Sequence, residues 1–351
     1  MVHESAGNIN GTEVPSPDRL MLAIRRNLQL GPTVPISLVE KSEFSNINFV
    51  YRVEIPSRCF YLKVVPERPR NFPVHVPRER VFSEAEGIRR FRDLAKGIVT
   101  IPEVLFVDRE EMALAMSDVG EGRHVLFSIL GERFDLIVEQ AEALGTALGK
   151  IHGGTRGADS LRPPHEELIV RKIVFDGLLG PGAQLVFPEL WPEVNAEMQT
   201  HRECLVHGDL WSKNLLVKEG EPIGIVDFEG VHYGDPAFDL ATLISVSLLP
   251  AVESPWLLSK ALDFAARLLY SWSAACGSDE WPASVLPRVF RATGTFLAAR
   301  GFGPFAYVLS ETAKGRIAML AKSLAAEPPA SFDAFQSRAA QLLDVAIVVE
   351  P

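Results

Sequence analysis

The sequence predicts an α+β chain of two lobes, a small five-stranded antiparallel lobe over residues 1–118 and a larger, mainly helical lobe over 119–351. Three observations carry this expectation. Apolar residues recur with a period near two from Ile36 to Val65, two further strands are read at Ile101–Val107 and Met112–Ser117, and apolar residues recur at helical spacing from Phe134 onward. Within the helical part, the stretch from Leu205 to Leu243 hangs two acidic loops from one short hairpin.

Taken in order, Met1–Val14 is polar and is expected to be frayed. Ser16-Pro17-Asp18 marks a helix start, with Leu20, Leu22, Ile24 and Leu28 as its apolar positions up to Gly31. Ile36–Glu40, Asn48–Glu54 and Cys59–Val65 read as strands, the last two joined by the turn Ile55-Pro56-Ser57-Arg58. The run PERPRNFPVHVPRER that follows is too rich in proline for regular structure and reads as a solvated connector. A helix through VFSEAEGIRRF then points Val81, Ile88 and Phe91 inward. Ile101–Val107 and Met112–Ser117 complete the sheet, and Ser117-Asp118-Val119-Gly120 is the expected hinge.

The second lobe opens with Phe134–His152, a core helix on Leu136, Ala141, Leu144, Leu148 and Ile151. Gly153–Arg202, interrupted by proline and glycine, is read as part of a substrate wall. Trp256–Ala275, Val285–Arg300, Pro304–Ala326 and Ser331–Val348 read as amphipathic helices, together large enough to enclose a small molecule.

Between these lie the residues that carry chemistry. Leu205 and Val206 lead into the loop His207–Asn214, and Leu215–Val217 and Ile223–Val226 flank the turn Lys218-Glu219-Gly220-Glu221-Pro222. Phosphoryl transfer requires a carboxylate to receive or orient the proton of the attacking hydroxyl and hard oxygen ligands for Mg²⁺. Asp209 fits the first role, Asn214 and Asp227 the second. An isolated loop Asp is more often an Asx-turn or a helix cap, but three such positions in one register argue for a site. His207 reads as a structural histidine and Trp211 as packing. Lys213 either touches the transferred phosphate or is an ordinary surface lysine, and Asp239, in FDLATL, is placed to cap a helix and brace the loop.

The order of base, Asn and metal Asp resembles the catalytic and metal loops of enzymes with the protein-kinase-like fold. More narrowly, HGDLWSKN followed by IVDFEGVHYGDPAFDLA resembles the aminoglycoside phosphotransferase and choline kinase superfamily. The resemblance runs from about Asn46 to Ala325. SNINFVYRV, FYLKVV, EAEGI and SETAKGRIAMLAKSL are similar to methylthioribose kinases, which carry a paired arginine where this chain has Arg316 alone; HGDLWS is also similar to fructosamine kinases.

This resemblance implies ATP and Mg²⁺ as cofactors, with Lys63 on the nucleotide phosphates, held by Glu84 or, failing that, Glu86. It implies adenine read by backbone groups at Ser117 and Val119, Glu229 as a direct or indirect metal partner, and Asp235, Glu311 and Arg316 beside the substrate. The glycine-rich phosphate loop is absent, with Ser42–Asn48 in its place. The function implied is transfer of the γ-phosphoryl of ATP to a hydroxyl of a sugar or a sugar-containing compound such as an antibiotic. A kinase of a non-sugar amino alcohol and a non-catalytic nucleotide-binding protein are the alternatives. A protein kinase is disfavoured, because YGDPAFDLATL follows the metal loop with no room for a long activation segment.

Composition agrees. The formal charge of −10 leaves no basic footprint for nucleic acid. Cys59, Cys204 and Cys276 are scattered without metal or disulfide spacing, which suits a reducing cytoplasm. The first residues lack the pattern of a signal peptide, and the apolar run Leu240–Val252 is too short to span a membrane.

Overall fold

The computed structural model describes residues 15–41, 47–68, 76–158, 169–277 and 280–343. The start expected to be frayed, most of the segment in place of the glycine loop, the middle of the proline-rich connector and the last eight residues lie outside them. Helix α1 (Pro17–Leu28) precedes the strands β1 (Ser37–Glu40), β2 (Phe49–Ile55), β3 (Arg58–Val64), β4 (Val104–Asp108) and β5 (Ala113–Ser117), with α2 (Arg80–Leu94) inserted before β4. All neighbours pair antiparallel in the order β1-β2-β3-β5-β4.

Strand alternation divides this sheet into two faces. Phe49, Tyr51, Val53, Phe60, Leu62, Val64, Ala113 and Ala115 pack with Leu20 and Ile24 of α1 as a separate small core. Val65 and Leu114 point the other way and join the main core with Val81, Ala85, Ile88 and Phe91 of α2. Lys63 lies on this second face, paired with Val50 and Leu114 across the sheet. One expectation for α1 fails: Leu22 is 65% exposed and Ala23 is buried in its stead, because positions two apart cannot share a helix face with Leu20 and Ile24.

The second lobe starts with β6 (His124–Val125), α3 (Leu126–Ile129) and α4 (Phe134–Glu139), and continues in α5 (Ala141–Thr155). The core helix expected over Phe134–His152 is thus broken at Gln140, whose amide group bonds the Glu221 carbonyl and the Ile223 N–H of the catalytic hairpin. After the π-helical segment Ile169–Leu179 come α6 (Gly180–Val186), α7 (Trp191–Thr200), β7 (Cys204–Val206), β8 (Leu215–Val217), β9 (Gly224–Ile225) and β10 (His232–Gly234). Strand β7 pairs with β10, while β6, β8 and β9 form a three-stranded sheet. Helices α8 (Ala237–Glu253), α9 (Leu258–Ala275), α10 (Glu280–Phe302), α11 (Glu311–Ala326) and α12 (Phe332–Leu343) complete the chain. Among the described residues no helix is long and apolar enough to cross a membrane.

Helix α11 begins seven residues later than the expected Pro304, because Ser310 caps it by accepting from the Ala313 N–H at 3.2 Å and also bonds Glu253. Residues 303–310 are left as a loop that matters to the site below.

Helix α5 packs closely on α9, and the sequence permits it by placing Gly145, Gly149 and Gly153 four residues apart on one face of α5. A Cβ on Gly145 would lie 2.3 Å from the Leu268 carbonyl oxygen, a backbone atom that cannot move aside. The overlap in Gly145→Ala costs roughly 1–3 kcal/mol, against about 1 kcal/mol gained in helix propensity, so thermal unfolding should show a net loss. Gly131→Ala, which meets nothing within 4 Å, is the control and should be neutral. Equal stability of the two variants would contradict the close packing.

Candidate active site

The catalytic loop leaves β7 at His207-Gly208-Asp209 and runs directly against the Asp227 loop. Gly208 has φ +79°, and a Cβ there would lie 2.2 Å from the Gly230 carbonyl, so only glycine lets the two loops touch. Asp239, in the first turn of α8, accepts from the His207 N–H at 2.8 Å and the Gly208 N–H at 2.9 Å. Trp272 donates to His152 Nδ1 at 3.1 Å, which puts the imidazole proton on Nε2, 3.2 Å from Asp239 Oδ2. Burial opposes ionisation of Asp239, but the His152 bond, the His152 and His207 rings and the backbone N–H outweigh it and hold the carboxyl below its ordinary value. The loop brace expected of Asp239 therefore has a built support of its own.

Asp209 N–H donates to His207 Nδ1 at 3.2 Å, and the His207 ring packs between Phe91 and Phe228. Burial keeps that imidazole neutral by lowering its pKa, which fits a structural role. Asn214 donates through Nδ2 to the Asp209 backbone carbonyl at 2.9 Å and to its Oδ2 at 2.8 Å. A carboxylate can only accept, so this contact fixes the amide orientation and turns Asn214 Oδ1 outward as a free acceptor. Burial pushes the Asp209 carboxyl up to about 7; Arg300 and the Asn214 bond oppose the shift while Asp227 and Glu229 add to it. Asp227 itself stands at φ 65°, ψ 70°, a left-handed conformation that aspartate tolerates better than most residues.

From the first lobe, Lys63 Nζ reaches Glu84 Oε1 at 2.8 Å, Asp227 Oδ1 at 2.7 Å and Glu229 Oε2 at 3.1 Å. The lysine is 4% exposed. Burial would neutralise it, but the three carboxylates hold its pKa well above the ordinary value. One ammonium cannot balance three carboxylates, and burial together with mutual repulsion raises Glu84 and Glu229. Glu229 is also bonded by Asn48 Nδ2, and Asn48 Oδ1 in turn accepts from Arg80 Nη2 at 2.9 Å. Glu86, the fallback for Glu84, is exposed and pairs with Arg90 at 2.8 Å.

At the hinge, Ser117 exchanges backbone and hydroxyl bonds with Glu103, and the Val119 carbonyl accepts from Arg123 at 2.8 Å. Beyond Asp209 stands a group that no sequence motif marks. Trp211, Phe127 and Tyr307 stand side by side, with ring centroids 6.1 and 5.4 Å from Phe127. The Arg300 guanidinium stacks on Trp211 at 3.9 Å, and Lys213 Nζ lies 5.1 Å from both the Phe127 and Trp211 rings. Tyr307, on the 303–310 loop, bonds Ser212 Oγ at 2.7 Å.

The three expected substrate contacts are not brought to this group. Asp235 is buried and locked to Arg288 at 2.7 Å and to the Ala237 N–H at 2.9 Å, starting α8. Arg316 donates to the Val252 carbonyl at 2.9 Å, at the C-terminal end of α8. Asp239 is at the other end, and the thirteen helical steps from it to Val252 span roughly 20 Å. Glu311 opens α11 beside Ser310, which is bonded to Glu253 at that same far end, and is itself exposed and paired with Lys314.

The chain is similar to known proteins in sequence and in fold. The 4-hydroxytryptamine kinase of Psilocybe cubensis is 31% identical over 166 residues, covering 41% of this chain, and the chain spans about half of that relative's length, 46%. Among solved structures, the spectinomycin phosphotransferase APH(9)-Ia in complex with ADP and spectinomycin is 13% identical, with a TM-score of 0.51 over 95% of this chain and 100% of that one. The amicoumacin kinase hAmiN in complex with AMP-PNP, Ca²⁺ and amicoumacin is 15% identical, with a TM-score of 0.51 over 91% of this chain and 99% of that one. At these identities the two structures show the shared protein-kinase-like fold. Residues 43–269 match the model of the APH phosphotransferase enzyme family, and with well over half of its length matched, the chain belongs to that family.

Proposed function

We propose that the chain is an ATP-dependent small-molecule kinase that transfers the γ-phosphoryl group of ATP to a hydroxyl of its acceptor. The observation that carries this reading is the placement of two pairs side by side, Lys63 on Asp227 at 2.7 Å and Asn214 on Asp209 at 2.8–2.9 Å, with Asp209 near enough to Asp227 to feel its charge. Such placement suits a reaction in which the protein mainly positions groups and stabilises charge.

In this reading Lys63, steered by Glu84, binds the nucleotide phosphates, and backbone groups at Ser117 and Val119 receive the adenine. Asp227 Oδ and Asn214 Oδ1 would hold Mg²⁺, with Glu229 close behind. The donor set fits: hard oxygens, a surplus of negative charge around Lys63, and an amide oxygen turned outward. When bound, the ion would neutralise phosphate charge. Asp209 orients the acceptor hydroxyl and takes its proton, held in place by Asn214 and by the Asp239 brace. The named relatives act on different acceptors, spectinomycin, amicoumacin and 4-hydroxytryptamine, so family membership leaves the acceptor open.

Two outcomes are expected. Asp209→Asn preserves size and hydrogen bonding but removes the base, so turnover should fall roughly 10²–10⁴-fold with MgATP affinity nearly unchanged. Turnover of γ-labelled ATP and calorimetric titration check the two halves, and full turnover in this variant would remove the base assignment. The second outcome concerns pH. With the Asp209 carboxyl raised to about 7, the base is ionised above that pH and protonated below it. In the wild type kcat/KM should therefore fall about tenfold per unit as pH drops below 7, a limb that Asp209→Asn should lack. A flat wild-type profile between pH 5 and 8 would count against the assignment.

A further inference from the structure

Arg300 is 5% exposed, yet among the described residues its guanidinium makes no hydrogen bond or ion pair. The guanidinium lies over the face of Trp211, at 3.9 Å. Asp209 is near enough to interact with it electrostatically, but the Asp209 carboxylate is taken by Asn214 at 2.8 Å. A guanidinium has five N–H donors, and those of Arg300 are left to the little open surface that the residue keeps. Arg288 of the same lobe is by contrast paired, with Asp235 at 2.7 Å and Glu203 at 2.7 Å, while Arg291 and Arg316 each leave only Nε without a partner among the described residues and bond elsewhere through the rest of the fork.

Lys213 is a second cation here with no carboxylate partner among the described residues. Its ammonium sits over Phe127 and Trp211, and Arg300 is close enough to lower its pKa together with partial burial. An aromatic pocket of this kind is ordinarily a receptor for a ligand cation. In this chain the position is filled by a cation of the protein itself, with another behind it. The walls are held rigidly, since Tyr307 N–H bonds the Arg300 carbonyl at 2.8 Å and its hydroxyl bonds Ser212 at 2.7 Å.

Building on the phosphotransfer reading of the cleft, we propose that Arg300 and Lys213 form an oxyanion-binding subsite beside Asp209. The acceptor is then a hydroxyl compound that carries a carboxylate or phosphate group on an apolar or aromatic body. Polyammonium sugars and amino alcohols are excluded by like charge. Arg300 is the specificity-determining residue, because its planar fork matches an oxyanion and Trp211 fixes its plane.

The test uses the full chain with MgADP and three probes: mandelate, an aromatic hydroxy acid; phenylethanolamine, its ammonium counterpart; and kanamycin, a polyammonium sugar. Affinities are read by thermal shift and calorimetry. Mandelate should bind at least about tenfold more tightly than either cation. Arg300→Gln should weaken mandelate on the order of ten- to a hundred-fold, with partial recovery in Arg300→Lys. Lys213→Ala, a change at an exposed side chain that leaves the fold untouched, should weaken it by a smaller factor. Tighter binding of either cationic probe, or no mandelate binding when MgADP does bind, overturns the subsite. Failure of MgADP itself to bind removes the phosphotransfer reading and the subsite with it. If Arg300→Gln binds mandelate normally while its acceptor-free ATP hydrolysis collapses, the guanidinium serves the transferred phosphoryl group and the proposal is wrong.

Discussion

A single buried ammonium, Lys63, facing three carboxylates from two lobes is the constraint on which the remaining arrangement depends. The lysine comes from β3, Glu84 from α2, and Asp227 and Glu229 from the loop after β9. Two unit charges 4 Å apart interact by about 4 kcal/mol at an effective dielectric of 20, so each carboxylate is drawn to the lysine and repelled by its two fellows. The cluster is therefore attractive in each spoke and strained as a whole. That strain is the physical opening for a second cation, and it lies where Asp227 and the outward amide oxygen of Asn214 face the cleft. Arg80 reaches the cluster only indirectly, through Asn48 and Glu229, which ties the segment replacing the glycine loop to the same charge centre.

Placing Asp209 against this cluster is the work of a second, independent set of contacts. Trp272 fixes the His152 tautomer, His152 orients Asp239, and Asp239 holds the backbone of His207 and Gly208. Phe91 packs edge to face on His207 and Phe228, whose rings are tilted on each other, with centroids 4.5–6.0 Å apart, so α2 is coupled to the catalytic loop as well as to Lys63. The close seat of α9 on the glycine face of α5 matters here, because Trp272 is on α9 and His152 on α5. Packing energy in the helical lobe thus becomes positional precision at the base.

Residues close along the chain, or set by a strict period, are legible in the amino-acid sequence. The alternation in β3 puts Lys63 opposite Phe60 and Leu62, helical spacing puts Glu84 among Val81, Ile88 and Phe91, and one hairpin carries Asp209, Asn214 and Asp227. Asp239 is readable because a helix-opening Asp soon after the metal loop has few places to go. Arg300, Tyr307 and Phe127 are not, since each meets Trp211 or its neighbours only after α10 and its following loop fold back on the catalytic loop. An arginine in an amphipathic helix looks like surface until a partner is known. Arg316 and Glu311 depart from their expected places for the complementary reason: order along the chain says nothing about which end of α8 the helix α11 will meet. The start of α11 departs from its expected place because the Ser310 cap outweighs the apolar run that precedes it.

If three carboxylates around one ammonium define the cleft, nucleotide binding must depend on a divalent cation. Calorimetric titration of the full chain with ATP, in EDTA and then with Mg²⁺ in excess, measures this directly. Free ATP brings further negative charge to an already negative cluster, so its affinity should be at least about tenfold weaker than that of MgATP. Equal affinities with and without Mg²⁺ would contradict the charge balance on which the reading of this cleft rests.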